Sequence, residues 1–119
     1  MVRKFCALLT LITVLGCEQL IEVEDISNET VSILGPANNL IIDTSSVNFS
    51  WESLEFAELY QLQIAMPSFD TPQNIVEDTI IYTTSFIKTL SANTYQWRIK
   101  AKNFGYETPY TTQNITIED

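Results

Sequence analysis

The chain has 119 residues, with six basic and fifteen acidic side chains, two cysteines and no histidine. Its formal charge of −9 opposes contact with nucleic acid phosphates, so DNA and RNA are not expected partners. The lack of histidine removes the commonest general base and the commonest metal ligand, and we expect no catalytic site, no metal and no cofactor.

The first sixteen residues have the layout of an export signal. Arg3 and Lys4 make a basic start, residues 5–15 are predominantly apolar, and Gly16 stands before Cys17. The apolar run is too short to span a bilayer, which needs about 20 residues. A basic start, an apolar run and a small residue are together typical of a secretory signal peptide with its cleavage site. We therefore predict a cleaved signal over residues 1–16.

The motif Val14-Leu15-Gly16-Cys17 resembles the lipobox of bacterial lipoproteins. The resemblance implies a diacylglycerol on the sulfur of Cys17 and an acyl group such as palmitate on the new amino terminus. Two or more chains hold a protein stably at a membrane, at about 0.8 kcal/mol per buried methylene. Glu18 follows the cysteine, whereas enteric lipoproteins retained in the inner membrane carry aspartate there. We therefore expect an outer membrane protein, with the face of the membrane left open.

The chain after the signal is more acidic than the whole and has a biased start. Four basic residues then stand against fifteen acidic ones, a formal charge of −11. Residues 18–30 hold five carboxylates and neither a basic nor an aromatic residue. We predict a solvated tether over residues 17–30, about 40 Å long when extended. A first strand segment within residues 20–23 is the alternative. With Cys17 lipidated, no thiol remains for a disulfide.

From residue 31 onward, apolar and polar residues alternate. Alternation of this kind predicts strands with one buried face and one wet face. The clearest segments are residues 47–51, 60–64, 95–101 and 115–117. Further strands are predicted at residues 31–34, 40–42 and 79–87. About seven short strands in residues 31–119 predict one all-β domain, an antiparallel sandwich.

These segments together resemble a fibronectin type III domain, in the form common in surface lipoproteins of Bacteroidetes-like bacteria. The resemblance is carried by Gly35-Pro36, by Val47-Asn-Phe-Ser-Trp51, by residues 57–65 and by residues 90–101. It implies an immunoglobulin-like sandwich with Trp51 buried between the sheets. It also implies that Tyr95 is a corner tyrosine whose hydroxyl bonds to backbone near Leu90. Asn93 stands where glycine is frequent, and asparagine tolerates the left-handed backbone.

Three aromatic residues mark a possible binding loop between the last two predicted strands: Phe104, Tyr106 and Tyr110. Loops at the ends of such sandwiches often bind ligands, and exposed rings can stack on sugars or anchor a protein partner. The alternative is a turn at Gly105 whose aromatics pack on the end of the core. The second interpretation is favoured because aromatic turn residues usually pack.

Charged residues give weaker indications of a site. Arg98, Lys100 and Lys102 fall on the outward face of one predicted strand, as a solvated stripe, with docking of an acidic partner as the alternative. The carboxylates of residues 52–58 and 77–78 lack the spacing of a known calcium loop. Asp78-Thr79-Ile80 resembles a short O-glycosylation motif, and whether Thr79 is modified stays open.

The sequence therefore indicates a lipid-anchored envelope protein with one fibronectin type III-like domain. We expect a non-enzymatic interaction or structural module, attached to the membrane through Cys17, with a protein or glycan partner. The alternative is a glycan-binding accessory component of a polysaccharide-handling system. It depends on the rings of residues 104–110.

Overall fold

A computed structural model describes residues 22–119 and is built of strands. The signal peptide and Cys17 lie outside the described residues. No helix long and apolar enough to cross a membrane occurs in this part of the chain. The described strands are β1 (Ile33–Gly35), β2 (Leu40–Ile42), β3 (Ser46–Trp51), β4 (Leu59–Met66), β5 (Asn74–Ile81), β6 (Ser85–Thr89), β7 (Asn93–Lys102) and β8 (Thr111–Ile117).

The strands form two sheets that pack as a sandwich, with the orders β1-β3-β6 and β2-β8-β7-β4-β5. The predicted β-sandwich is confirmed, with eight described strands instead of about seven. It is not wholly antiparallel, because β2 runs parallel to β8. The chain passes from one sheet to the other between β1 and β2, which are edge strands of different sheets. In this connection Asn39 has a φ of 66° and donates its N–H to the Asn114 carbonyl at 2.8 Å. After this crossing, β2 lies beside β8 in the same direction.

The predicted strand over residues 79–87 is in fact the end of one strand and the start of another. β5 ends at Ile81 and β6 begins at Ser85 in the opposite sheet, so residues 82–84 bridge the two sheets. The Thr84 carbonyl accepts the N–H of Trp51 at 3.1 Å, which fixes this crossing against β3. Lys88 and Glu77 then link the two edge strands with an ion pair of 3.0 Å.

The core lies between the sheets and is filled by the apolar residues of the alternating strands. In β3, β4 and β7 buried side chains alternate with more exposed ones, as the sequence predicts, except that Ala65 is buried next to Ile64 where the register shifts. The rings of Phe49 and Trp97 meet edge to face with their centroids 4.7 Å apart. Trp51, 1% exposed, packs on Tyr60 at 5.7 Å. The predicted burial of Trp51 between the sheets is thus confirmed.

Tyr95 forms the predicted corner. Its hydroxyl donates to the Ser91 carbonyl at 2.8 Å and lies 3.1 Å from the Ser91 hydroxyl. Asn93 starts β7 with ordinary strand backbone and accepts the Thr94 N–H on its side-chain oxygen. The left-handed backbone allowed for Asn93 is therefore not used, and the corner forms without it.

Residues 22–30, the described part of the tether predicted over residues 17–30, are attached to the sandwich instead of solvated throughout. Ile26 is 2% exposed and belongs to the core, while its flanking carboxylates Asp25 and Glu29 stay in water. The Glu29 N–H donates to the Ile26 carbonyl at 3.0 Å and closes a turn around this side chain. Residues 22–30 contain no strand. One buried apolar residue thus fixes a segment whose composition is that of a solvated spacer.

Replacing Ile26 with alanine tests this attachment. We expect the free energy of unfolding to fall by about 2–4 kcal/mol, because a fully buried isoleucine is truncated and a cavity is left behind. The measurement is urea unfolding of residues 17–119. Leu34→Ala is the matched control, since Leu34 is 65% exposed and should change stability little. If Ile26→Ala were as stable as the parent chain, the attachment would be contradicted and the solvated tether would be the better description.

Candidate binding surface

Three connections leave the sandwich at the same end. The register pairs Leu59, the first residue of β4, with Lys102, the last residue of β7. It also pairs Tyr60 with Ile81, the last residue of β5. Residues 52–58, 82–84 and 103–110 therefore emerge side by side, although they are far apart in the sequence. The side-chain amide of Asn103 reaches the Glu24 carbonyl, so the N-terminal segment passes the same end.

Four exposed aromatic side chains stand on these connections, and we call this surface the aromatic end. Phe104 is 86% exposed, Tyr82 75%, Phe56 54% and Tyr106 40%. The predicted packing of the loop aromatics on the core is therefore wrong for Phe104 and Tyr106. Exposed apolar side chains that cluster within a polar rim are typical of interaction surfaces.

Asn103 fastens two connections of the aromatic end through both the nitrogen and the oxygen of its side-chain amide. Its amide nitrogen donates to the Glu24 carbonyl at 2.8 Å and to the Phe56 carbonyl at 3.2 Å. Its amide oxygen accepts the backbone N–H groups of Gly105 at 3.1 Å and Tyr106 at 2.9 Å. One amide therefore links the N-terminal segment, the β3–β4 connection and the β7–β8 connection. An asparagine suits this position because it offers donors and acceptors together.

Phe56 is held in an unusual backbone conformation. Its φ is 70°, a left-handed value that costs an L-residue with a bulky side chain about 1–2 kcal/mol. The turn around it is fixed by the Ala57 N–H, which donates to the Leu54 carbonyl at 3.1 Å, and by the Asn103 amide. Such conformations persist only where the surroundings determine them, and they concentrate at functional sites. In this conformation the Phe56 side chain is 54% exposed.

The surface between these rings is both apolar and negatively charged. Phe104 stands between two open grooves. One groove is lined by Glu22, Val23, Glu24, Phe56, Ala57, Glu58 and Asn103, and the other by Glu58, Leu59, Tyr82 and Asn103. Carboxylates therefore rim the aromatic end. Its ligand must accept ring faces and tolerate negative charge.

Tyr110 does not belong to the aromatic end. Its ring lies over the Arg98 guanidinium at 4.2 Å and near the Lys100 ammonium at 4.6 Å, on the outer face of the five-stranded sheet. Phe69 covers Arg98 from another side at 4.0 Å, and the Arg98 Nε–H donates to Gln63 at 2.8 Å. The predicted binding loop is therefore divided. Phe104 and Tyr106 face solvent, whereas Tyr110 stacks on cations.

The basic stripe of β7 is largely occupied by internal contacts. Lys100 forms an ion pair with Glu107. The hydrogen bond and charge of Lys100, with a smaller effect from Lys102, lower the pKa of the Glu107 carboxyl. With Arg98 stacked between rings, the stripe is less solvated than predicted, and docking of an acidic partner has little charge available.

One of the two predicted acidic clusters, residues 77–78, has partners on the protein. Glu77 pairs with Lys88, and Asp78 accepts the side-chain N–H of Gln61 at 3.0 Å. Within residues 22–119, no three acidic, histidine or cysteine side chains are grouped to hold a metal ion. Thr79 is half-buried and shares its register position with the core residue Leu62. This placement disfavours a glycan on Thr79.

The sequence does not single out Phe56, Tyr82 or Asn103 as site residues. Phe56 lies in a polar connection, and Tyr82 lies inside the β-branched run that predicts one strand. Only the strand register brings Phe56 and Tyr82 beside Phe104. A usable signal is a lone aromatic residue at a break in alternation, since such a residue has no buried position in either strand.

Asn103→Asp tests the fastening of the aromatic end. The aspartate keeps an acceptor for Gly105 and Tyr106 but puts a carboxylate against two carbonyl oxygens. We expect a loss of about 1–2 kcal/mol in the free energy of unfolding, measured with urea. Asn38→Asp is the control, because there the side-chain oxygen accepts the Asn114 N–H and an acid retains that acceptor. Equal losses in both variants would attribute the effect to added charge alone.

Solved structures with the same fold are fibronectin type III domains, whereas no protein-family model matches the chain and no curated protein matches it by sequence. An Fn3-like protein from Clostridium thermocellum has a TM-score of 0.54 at 15% identity, covering 78% of this chain and 96% of that one. The structure titled FN3tt gives 0.54 at 13%, covering 75% and 96%. A fibronectin type III domain of human KIAA0970 gives 0.55 at 12%, covering 77% and 74%. At these identities the likeness concerns the fold: the chain folds as a fibronectin type III-like β-sandwich.

Proposed function

We propose that the chain is a lipid-anchored, non-enzymatic interaction module of the cell envelope, and that it binds through the aromatic end. The observation that carries the proposal is the exposure of four aromatic side chains on three neighbouring connections, two of which Asn103 fastens to each other. The fold supports it, since loops at one end of a rigid sandwich commonly carry binding. Exposed apolar residues also occur on the strands, Ile41 and Ile87 among them, but the exposed aromatic side chains of residues 22–119 stand on these loops.

The anchor is the lipid on Cys17, and its support is the lipobox motif. Cleavage before Cys17 leaves a chain whose formal charge of −11 does not favour anionic lipid surfaces, so the acyl groups must supply the attachment. We place the protein at the outer membrane, because Glu18 stands where a retention aspartate would be.

Cys17→Ala is expected to abolish incorporation of labelled palmitate and to release the protein from the membrane fraction. The measurement is metabolic labelling followed by fractionation of the cells. Cys6→Ala is the matched control, because Cys6 lies in the predicted signal and its loss should leave labelling intact. Unchanged palmitate labelling in Cys17→Ala would overturn the anchor.

A glycan-binding accessory role is the second candidate, favoured by the exposed rings of Phe104 and Tyr106. Aromatic faces stack on sugar rings, and nearby carboxylates such as Glu107 can accept sugar hydroxyl groups. A glycan array with residues 18–119 tests it. We expect Tyr106→Ala to lose any glycan signal and Ile87→Ala, on the outer side of β6, to keep it. A signal that survives Tyr106→Ala would remove this surface from glycan recognition.

A further inference from the structure

We propose that the aromatic end rests on the lipid bilayer itself, with Phe56, Tyr82, Phe104 and Tyr106 in the interfacial layer. The inference deepens the proposed function and depends on its lipid at Cys17. It names the membrane as the partner of the aromatic end. Three features support this contact: the short stretch from Cys17 to Glu22, the position of the N-terminal segment, and the chemistry of the surface.

Few residues separate Cys17 from the part of the chain that contacts the sandwich. A side chain on Gly105 would place its Cβ 3.6 Å from Cγ1 of Val23, and the Glu24 carbonyl accepts from Asn103. The N-terminal segment is therefore in contact with the β7–β8 connection by Val23. Five Cα–Cα steps separate Cys17 from Glu22, and at full extension they span about 17 Å. This is under half of the reach expected for a tether through residue 30.

This length decides which end of the sandwich faces the membrane. The N-terminal segment meets the sandwich at the aromatic end. β4, with eight residues, runs from that end to the opposite one and spans about 27 Å. The stretch from Cys17 to Glu22 reaches about 17 Å at most, which is shorter than the length of β4. The opposite end of the sandwich therefore cannot face the bilayer while a lipid on Cys17 stays inserted. The opposite end, with residues 67–73, therefore points away from the bilayer.

The surface has the chemistry of an interfacial contact. Tyrosine and phenylalanine settle at the boundary between headgroups and acyl chains, where the ring is apolar and the tyrosine hydroxyl can stay wet. The four rings stand on three connections, so they contact a flat layer at several points. Tethering makes the contact intramolecular, so each ring needs only a weak preference for the interface.

The carboxylates select the kind of lipid. Glu22, Glu24 and Glu58 line the grooves beside Phe104. Anionic headgroups repel them, whereas zwitterionic headgroups offer ammonium groups to the carboxylates and to the ring faces. The inference is therefore a contact with zwitterionic lipid that weakens when anionic lipid is added at low salt.

The test attaches the chain chemically, so that it does not depend on lipidation in the cell. Residues 17–119 carry one thiol, at Cys17, which couples to a maleimide lipid in phosphatidylcholine vesicles with brominated acyl chains. Phe104→Trp supplies the probe. Trp51 and Trp97 are buried, so their emission is a background measured in the parent chain. Tyr82→Trp is a second probe on a different connection, in case Phe104→Trp does not fold.

We expect the added emission of Phe104→Trp and Tyr82→Trp to be quenched by brominated lipid after coupling. Gln73→Trp, at the opposite end, and Ile87→Trp, on the side of the sandwich, serve as controls and should keep their emission. Replacing half of the phosphatidylcholine with phosphatidylglycerol that carries the same brominated chains should reduce the quenching at low salt, because the quencher density is unchanged and the anionic headgroups repel the carboxylates.

Complete coupling with no quenching at either aromatic probe would overturn the inference. Equal quenching of all four probes would overturn it too, since it would show no preferred end. Quenching that occurs only at high protein density on the vesicle would also overturn it, because it would indicate a second copy of the chain. These outcomes are independent of palmitate labelling at Cys17, so the anchor and the membrane contact can fail separately.

Discussion

The structure depends on the interlocking of two sheets through every second side chain of β3, β4, β7 and β8. Residues 22–119 contain no cysteine, so disulfides play no part in holding this sandwich. A slip of one residue in any of these strands would turn its core residues, Trp97 among them, toward water. The register is therefore strongly determined. It also decides which connections meet at the aromatic end.

The alternation made most of the fold predictable from the sequence. It located β3, β4, β7 and β8, and the resemblance to fibronectin type III domains led to Trp51 and Tyr95. The break after Ile81 was not predictable in this way, because β-branched residues continue through it and no glycine, proline or asparagine marks a turn. The attachment of Ile26 was also hidden, since composition describes a window of residues whereas burial concerns one side chain.

The candidate site was predictable only in part, because nearness in sequence is a poor guide to shared surface. Phe104 and Tyr110 are six residues apart, yet the chain returns to the sheet between them. Thr108 is buried there, and its hydroxyl accepts the Ala101 N–H at 3.0 Å. Tyr110 is thereby placed over Arg98, away from Phe104. Phe56 and Tyr82 come from connections that only the register assembles.

The proposed orientation of the domain at the membrane depends on a balance between two features of the N-terminal segment. Its carboxylates favour water and extension, whereas Ile26 favours the core. Burial of an isoleucine contributes about 1.5–3 kcal/mol, and repulsion between solvated carboxylates at physiological salt is much weaker. Burial therefore prevails and fixes the segment around Ile26 to the sandwich. In the proposed membrane contact, a lipid at Cys17 would bring the aromatic end to the membrane. Four exposed rings would promote association of a free protein, but in that contact they would meet an interface that accepts them.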